Sequence, residues 1–427
     1  RRHASDTGAM LEAEAQSVAR LINDPTARNL IHVFFLQEQL KGLGRDSDYQ
    51  PKYIHVVGAG TMGGDIASWC ALRGFRVTLQ DQAPERIAPA MQRAHALFRR
   101  KLKRPREIQA AMDRLMPDHR GVGVARADII IEAIFEDAEV KRSLYRELEP
   151  RMKSDAILAT NTSSIPLEEL TEALARPGQL VGLHFFNPVA KMQLVEVVNG
   201  ASTAAEVSAR ALAFTRQIDR LPLPVTSTPG FMVNRILMPY LMEAVILESE
   251  GVAANLIDKA ATGFGMPMGP VELSDSVGLD ICLHVAKVLA SHFNASIPER
   301  LQQLVADGRL GRKSGRGFYE YRKGKAVKPK VSGSDAQLEE ISDRLMLRLL
   351  NEAVSCVREQ VVGSSDLLDA GMIFGTGFAP FRGGPMHHIQ STGPAALQAR
   401  LQQFTSRYGE RFTPDPGWDS LFNTQGD

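Results

Sequence analysis

Hydrophobic residues recur at helical spacing through the opening of the chain, from Ala9 to Leu43. The pattern breaks at Asp24 and Pro25, where a second helix would begin. The repeating positions are Leu11, Ala15, Val18, Leu21, Ile22, Leu30, Ile31, Phe34 and Phe35. We therefore predict two helices ahead of the first strand, and we expect their apolar faces to be covered by the rest of the chain or by a neighbouring domain.

The pattern changes after this opening to alternating strands and helices. The segment YIHVVGAG predicts a β-branched strand, MGGDIASWCALRG a helix that stops at Gly74, and FRVTLQD a second strand. Continuous apolar runs in ADIIIEAIFED and AILATNTSS are typical of strands buried on both faces, and VGLHFF and LVEVV add two more. This βαβ order predicts an α/β Rossmann-type domain with a parallel sheet over residues 51–225.

Beyond TSTPGFMVNRI the pattern indicates long helices with almost no strand-like runs, and it repeats. NRILMPYLMEAV matches DRLMLRLLNEAV at a constant offset of 109 residues, and LIDKAATGFGMPMGP matches LLDAGMIFGTGFAPFRGGP. Two related all-α modules are predicted: the first in residues 226–322, the second, after a linker, in residues 323–427, with linker helices in residues 1–50. Asp343 stands where the first copy has Asn234, so we expect the second copy to be structural.

Composition narrows the classes of function. The 427 residues are 44% hydrophobic, and 50 basic residues nearly balance 49 acidic ones, which argues against nucleic-acid binding. The basic run RRKLKRPR, from Arg99 to Arg106, is interpreted as a solvated helix face. Cys70, Cys282 and Cys356 lack metal-type spacing, so we predict buried thiols and no metal site.

Targeting signals are not recognisable in the sequence. The most apolar neighbourhood, FMVNRILMPYLMEAVILE, is interrupted by Asn234, Arg235 and Glu243, which favours a buried helix over a membrane span. A cytoplasmic location is the default expectation. Because the chain opens at Arg1 rather than at a methionine, we expect it to be part of a longer protein.

A glycine-rich turn follows the first predicted strand. Its Gly-x-Gly-x-x-Gly pattern permits a tight turn, close approach of a pyrophosphate and close packing of the next helix. Asp81, which follows the second strand, could accept hydrogen bonds from a ribose and would repel a 2′-phosphate, so NAD is favoured over NADP. A purely structural turn is the alternative. The predicted cofactor residues here are Gly58, Gly60, Thr61, Met62, Gly63 and Asp81.

His184 and Glu196 lie twelve residues apart on two successive strand-like runs. Neighbouring strands could bring them together, with a neutral imidazole taking the proton of an alcohol while a carboxylate orients the ring. A structural histidine at a strand end and a glutamate at a sheet edge explain the same spacing equally well.

Several motifs, in order, resemble those of the L-3-hydroxyacyl-CoA dehydrogenase family. They are GAGTMG, EAIFED, NTSSIP, GLHFFNPVAKMQLVEVV, TPGFMVNR and GMPMGPVELSDSVGLD. The repeated helical module and the opening helices are similar, more narrowly, to the dehydrogenase part of multifunctional enzymes of fatty acid β-oxidation. The resemblance covers essentially the whole chain.

The resemblance implies roles for individual residues. It makes His184 the catalytic base and Glu196 its partner, and it places Ser163, Asn187 and Asn234 at the acyl-CoA substrate. A loop-capping Ser163 and a helix-capping Asn234 are the local alternatives. The resemblance also places Glu136 and Lys141 beside the cofactor, where a surface charge pair is an equally good interpretation. Arg312 or Lys313 could meet CoA phosphates, although a solvated turn is favoured.

The resemblance implies oxidation of (S)-3-hydroxyacyl-CoA by NAD. A non-catalytic scaffold and a β-hydroxyacid dehydrogenase are the alternatives, and the latter would use a lysine-based site. A thiolase subunit is an implied partner, and a homo-oligomer remains open. In the multifunctional enzymes a hydratase domain comes first, so we expect this chain by itself not to hydrate a 2-enoyl-CoA.

Overall fold

The first part of the chain forms two helices that lead to the sheet. In this computed structural model, which describes residues 7–293 and 296–425, these are α1 (Thr7–Asn23) and α2 (Pro25–Gly42). The Asp24 carboxylate accepts from the Thr26 amide and caps α2, as the predicted break requires. Residues 1–6 and 426–427 lie outside the described residues. The expectations about an upstream segment and a targeting signal rest partly on these residues.

A single eight-stranded sheet forms the centre of the α/β half of the chain. Its strands are β1 (Tyr53–Val57), β2 (Arg76–Gln80), β3 (Leu115–Pro117), β4 (Ile129–Glu132), β5 (Ile157–Thr160), β6 (Leu180–Phe185), β7 (Leu194–Asn199) and β8 (Leu221–Thr226). The helices that cover it are α3 (Thr61–Leu72), α4 (Pro84–Lys101), α5 (Pro105–Arg114), α6 (Ala138–Leu148), α7 (Leu167–Thr171) and α8 (Ala205–Gln217). The predicted α/β fold class is confirmed.

The order of the strands places the functional loops on one edge. The sheet runs β3-β2-β1-β4-β5-β6-β7-β8, parallel throughout except that β7 is antiparallel to β6. Strands β1, β4 and β5 are almost completely buried, as their unbroken apolar runs predict. Because their carboxyl ends share an edge, the glycine turn, the segment after Glu132 and the NTSS segment meet there.

Two strands of this sheet were not predicted, and both lie at its edges. Strand β3 has three residues, and β8 contains Pro222 and Pro224, which make its sequence LPLPVT resemble a loop. Proline is tolerated in β8 because this strand is at the edge of the sheet, where its missing N–H groups cost no ladder bond on the open side.

Helices dominate the chain after β8. They are α9 (Val233–Ser249), α10 (Ala254–Phe264), α11 (Pro270–Val277), α12 (Leu279–Phe293), α13 (Glu299–Ala306), α14 (Asp335–Arg358), α15 (Ser365–Thr376), α16 (Pro385–Thr392) and α17 (Pro394–Tyr408). Two three-residue strands, β9 (Glu320–Arg322) and β10 (Lys325–Val327), form a hairpin at the boundary between the first module and the linker, which fits the expectation of almost no strands. Its turn passes through Lys323 and Gly324, both with positive φ.

The sequence repeat appears in the structure as two helical units that exchange equivalent ion pairs. Helix α9 of the first copy packs along α14 of the second. In each copy one arginine bonds two glutamates of the other copy, and equivalent residues are 109 positions apart. The pairs are Arg235 with Glu352 and Glu359, and Arg344 with Glu243 and Glu250. Such reciprocal contacts characterise an isologous interface, here formed within one chain.

The opening helices leave most of their predicted apolar positions uncovered by the rest of the chain. Leu21, Ile22, Ile31, Phe34 and Phe35 are exposed, so a neighbouring domain is the expected cover that remains for them, and α2 itself buries Leu36 and Leu40. Helix α2 packs on β8 and on α15. The buried face of α2 carries Leu36 and Leu40, whereas the apolar spacing in the sequence had indicated the face with Phe34 and Phe35. The basic run from Arg99 to Arg106 is the junction of α4 and α5 rather than one helix face. All three cysteines are buried free thiols.

Candidate active site

The glycine turn between β1 and α3 has the shape that a dinucleotide pyrophosphate requires. Gly58 has φ +103°, and a Cβ there would overlap the Ala133 carbonyl, while a Cβ on Gly63 would overlap the Gly58 carbonyl. By contrast, a Cβ on Gly60 would meet nothing within 4 Å, so the space beside this N-cap residue is open. The first turn of α3, with Thr61 and Met62, presents backbone amides to that space. These residues fit the phosphate-binding role that the sequence predicts.

Asp81 lies beside this turn at the end of β2. Its Oδ2 accepts from the Ala59 amide at 2.8 Å, so the carboxylate also braces the turn itself. A second feature is absent from the local sequence pattern: Arg86, in the first turn of α4, places a guanidinium nitrogen 3.8 Å from Asp81 Oδ1. Arg86 is more than half exposed and lines the same cavity. The charge beside the glycine turn is therefore a pair rather than a lone carboxylate.

Glu136 lies in the loop after β4 and Lys141 in the first turn of α6, and the interpretation of them as a surface pair is wrong. Lys141 is 1% exposed, and its ammonium lies 2.6 Å from Glu132 and 3.4 Å from Glu136. Burial acts to raise the pKa of Glu136. The Lys141 charge and hydrogen bonds from Thr162 and Ser163 outweigh burial and hold this pKa below its ordinary value. Glu136 is therefore a carboxylate with fixed donors.

Ser163 and Asn234 are brought together between the sheet and α9. Glu136 Oε1 accepts from the Ser163 amide at 2.6 Å and from the Ser163 hydroxyl at 3.0 Å. Asn234 Nδ2 donates to the Ser163 carbonyl at 3.0 Å. Asn234 is the second residue of α9, whose N-cap is Met232, so the helix-capping alternative for Asn234 does not apply. Both side chains line the cavity.

His184 and Glu196 face each other across the antiparallel pair β6 and β7. They are register partners, and the distance from His184 Nδ1 to Glu196 Oε2 is 2.6 Å. Glu196 is fully buried, and His184 is 5% exposed on the cavity wall. The two rings nearest the imidazole are those of Phe186 and Phe231, with centroids at 4.5 and 5.6 Å. A ring in these surroundings has a fixed plane.

The second oxygen of Glu196 is held by the start of α9. Its Oε1 accepts from the Met232 amide at 3.1 Å and the Val233 amide at 2.9 Å. The carboxylate therefore has acceptor bonds on both oxygens, and the N-terminal end of a helix favours its negative charge. This link between β7 and α9 was not predicted, because backbone donors leave no signal in the sequence.

One cavity of about 1800 Å³ is lined by the glycine turn, Asp81, Ser163, His184 and Asn234, but not by the buried Glu196 and Lys141. Apolar side chains form much of the rest of its wall, among them Leu237, Met238, Leu241, Met266, Leu273, Ile281 and Val285. A cavity of this size and character accommodates a dinucleotide together with a long amphipathic substrate.

The remaining predicted contacts are dispersed around this cavity. Asn187 is exposed on its wall and precedes Pro188 through a cis peptide bond. Arg312 also lines the cavity, whereas Lys313 pairs with Asp280. Asn161, not identified from the sequence, lines the cavity too and accepts from the Phe185 amide at 2.9 Å. Its position directly after β5 is the signal that could have identified it.

Comparison with known proteins agrees with this geometry. Residues 53–228 match the model of the 3-hydroxyacyl-CoA dehydrogenase NAD-binding domain, and residues 230–321 match that of the 3-hydroxyacyl-CoA dehydrogenase C-terminal domain. The chain belongs to the 3-hydroxyacyl-CoA dehydrogenase family. As expected for this family, the domain built on the eight-stranded sheet is an NAD-binding domain.

Individual relatives resemble the chain to different extents. The fatty acid oxidation complex subunit alpha of Shewanella baltica is 36% identical over 425 residues, covering 95% of this chain and 60% of the relative. A 3-hydroxybutyryl-CoA dehydrogenase structure from Escherichia coli K12 has a TM-score of 0.79 at 27% identity and covers 89% of this chain and all of its own. The (S)-3-hydroxybutyryl-CoA dehydrogenase of Ralstonia eutropha has a TM-score of 0.61 at 33% identity, over 64% of this chain and all of its own.

The length of the chain, its helices and its potential metal ligands complete the description of this family member. The chain spans about 60% of the length of the curated relatives that it matches. Within residues 7–293 and 296–425, helices long and apolar enough to cross a membrane are absent. In the same part of the chain, His, Cys, Asp and Glu side chains do not gather into a group of three that could hold a metal ion.

Proposed function

We propose that this chain oxidises (S)-3-hydroxyacyl-CoA to 3-oxoacyl-CoA, and that His184 takes the hydroxyl proton. The observation that carries the proposal is the 2.6 Å contact of His184 Nδ1 with Glu196, at the sheet edge that also holds the glycine turn. NAD, when bound at that turn, supplies the acceptor for the hydride that leaves C3. Membership of the family supports the substrate class.

The tautomer of His184 follows from its partner. Glu196 accepts on both oxygens and has no hydrogen to give, so Nδ1 carries the proton and donates to Oε2. The other ring nitrogen, Nε2, then has a free lone pair and can accept a proton from an alcohol in the cavity. Glu196 stabilises the imidazolium that forms, and buried Phe231 keeps the ring in its plane.

Asn234 and Ser163 are assigned to the substrate. Asn234 has two amide hydrogens, one of which is donated to the Ser163 carbonyl, and the second remains for an oxygen of the acyl group. The Ser163 hydroxyl donates to Glu136, so it can contact the 3-oxygen only after turning away from that carboxylate. These two residues and Asn187 position C3 between His184 and the nicotinamide side of the cavity.

The cofactor contacts are assigned in the same way. We assign Gly58, Gly60 and Gly63 to the pyrophosphate, with the amides of Thr61 and Met62 facing the phosphates. Asp81 accepts from the adenine ribose. Lys141 lies behind Glu136 in a buried ion pair, so its role is to fix that carboxylate beside the cofactor rather than to touch the cofactor itself.

The test is NADH formation from (S)-3-hydroxybutyryl-CoA, followed by absorbance. We expect turnover with this thioester and much slower turnover with the R enantiomer or with free 3-hydroxybutyrate. A scaffold would form no NADH from any of the three compounds. A β-hydroxyacid dehydrogenase would use the free acid at least as well as the thioester, and either result would contradict the proposal.

The wider setting is part of the same proposal. Likeness to the fatty acid oxidation complex subunit alpha supports a place in a fatty acid oxidation complex. We propose a thiolase as the partner subunit and the cytoplasm as the location. A homo-oligomer remains open. The exposed apolar side chains of α1 and α2 suit contact with a hydratase domain joined to them. The test is to co-express the longer protein with a thiolase and to purify the two together. Co-purification of the thiolase would support the proposed partner, and purification without the thiolase would contradict it.

A further inference from the structure

We infer that Arg235 is a positioning residue for Glu196 and His184, and that it acts through the first turn of α9. This inference rests on the proposed function. The Met232 and Val233 amides bind Glu196 Oε1, while the other oxygen of the same carboxylate holds His184. The placement of this turn therefore sets the placement of the imidazole.

The turn that presents these amides has an unfavourable backbone conformation. Gly230 has φ +73°, and the next residue, Phe231, has φ +53° although it is not glycine. A bulky residue in the left-handed region persists only where surrounding contacts hold it there. Phe231 is completely buried, so those contacts must come from packed neighbours rather than from solvent.

Arg235 supplies one such contact, and the partners of its side-chain hydrogen bonds and ion pairs belong to the second helical copy. Its Nε lies 2.7 Å from Glu352, its Nη1 lies 2.7 Å from Glu359, and its Nη2 donates to the Ser355 hydroxyl at 3.1 Å. The Arg235 side chain is 3% exposed, and its guanidinium also lies over the Phe293 ring. Three partners on α14 and the turn after it thus fix the first turn of α9.

Helix α15 closes on the same turn from another side. A Cβ on Gly375 would lie 2.9 Å from Leu194 Cδ2 and 3.3 Å from Val233 Cγ2. A Cβ on Gly371 would overlap the end of the Met232 side chain. The absence of side chains at both glycines lets α15 lie directly against the two residues whose amides bind Glu196. The second copy, which has Asp343 in place of Asn234, thereby supports the turn that binds Glu196, and its Gly375 and Thr376 also line the cavity.

The repeat itself supplies a matched control for Arg235. Arg344 makes the equivalent ion pairs, with Glu243 and Glu250, at the middle and end of α9. It is similarly buried, at 4% exposed, but it contacts no residue of the first turn among the described side chains. A purely structural effect of losing such an arginine should be similar for the two residues.

The experiment compares Arg235→Gln with Arg344→Gln in the full chain, each alone and combined with Glu196→Gln. We expect Arg235→Gln to lower kcat about 10- to 100-fold with little change in KM for NAD, because a small displacement of the pair impairs proton transfer. Arg344→Gln should lose similar thermal stability yet keep kcat within about threefold. In the Glu196→Gln background, Arg235→Gln should have little further effect on kcat, since it acts through Glu196.

Two results would overturn the inference while the proposed function stands. One is an equal loss of kcat in Arg235→Gln and Arg344→Gln. The other is a double variant, Arg235→Gln with Glu196→Gln, whose loss of kcat equals the product of the two single losses. If Arg235→Gln does not fold, Gly371→Ala decides, because its Cβ would press on Met232 while Gly371 does not line the cavity. Gly363→Ala is the control, because its Cβ meets only Leu367 at 3.7 Å. A kcat loss in Gly371→Ala alone supports the inference, and equal kcat values contradict it. Absence of NADH formation by the unmodified chain would instead contradict the proposed function.

Discussion

The ammonium of Lys141 lies 2.6 Å from a carboxylate oxygen of Glu132, and both side chains are buried below the cofactor end of the cavity. The other oxygen of Glu132 accepts from the Tyr145 and Thr160 hydroxyls, each at 2.8 Å. Burial, followed by the neighbouring Glu132 charge, raises the pKa of Tyr145, so this residue remains a donor. This network connects β4, β5 and α6 at the base of the loop that carries Glu136.

Glu132→Gln should therefore destabilise the fold. The change removes the nearest counter-charge of a buried ammonium, which typically costs about 3 to 5 kcal/mol, and the 3.4 Å contact with Glu136 offsets only part of this cost. Chemical denaturation measures the free energy of unfolding. Glu38→Gln is the control, because its exposed pair with Lys41 contributes at most about 1 kcal/mol. Equal stability losses in the two variants would show that the buried pair contributes no more to stability than the exposed pair.

The cofactor preference should depend on Asp81 and Arg86 together. Asp81→Ala removes a ribose acceptor and a negative charge, and it leaves the Arg86 guanidinium free to meet a 2′-phosphate. We expect the ratio of kcat/KM for NAD to that for NADP to fall by at least about tenfold. The double variant Asp81→Ala with Arg86→Ala should use NADP poorly again. An unchanged ratio in Asp81→Ala would contradict this role for Asp81.

His388, on α16, should make the fold sensitive to acid. Burial, together with the charges of Arg382 and His387, lowers the pKa of His388 to about 4 from an ordinary value of 6.5. The unfolded chain therefore takes up a proton first as the pH falls. The stabilising contribution of neutral His388 is present above pH 6.5 and is lost as the pH falls through this interval towards 4.

The variant His388→Gln should remove that part of the acid sensitivity. Between pH 6.5 and 4 the unfolding free energy of the unmodified chain should fall by about 2 to 3 kcal/mol more than that of His388→Gln. Urea denaturation at several pH values gives this difference. His119→Gln, at an exposed position, should leave the pH profile as it is. Parallel profiles for the unmodified chain and His388→Gln would refute the prediction.

Periodic and local patterns made the fold predictable from the sequence. Buried parallel strands such as β4 have unbroken apolar runs, and the glycine turn has a spacing that few other structures require. Short or proline-containing edge strands lack such signals, which is why β3 and β8 were missed. The burial of Leu36 and Leu40 in place of Phe34 and Phe35 depends on which partner α2 meets, and no helical period contains that information.

The candidate site was predictable to a similar degree. The glycine turn was identified from its spacing and its place between a strand and a helix. For His184 and Glu196 the spacing left a structural alternative equally open, and their roles came from the resemblance to the dehydrogenase family. Contacts made by backbone atoms, such as the Val233 amide on Glu196, are invisible in a sequence. The approach of Arg86 to Asp81 was missed for a related reason, since it depends on the angle at which α4 leaves β2.

The turnover of His184→Gln with (S)-3-hydroxybutyryl-CoA and NAD tests the central claim most directly. Glutamine preserves much of the side-chain volume beside Phe186 and Phe231, but it cannot take a proton from the substrate hydroxyl near neutral pH. We predict that kcat falls by about 10²- to 10⁴-fold while the Kd for NAD and the melting temperature stay near those of the unmodified chain. Near-normal turnover in a folded, NAD-binding His184→Gln protein would contradict the account.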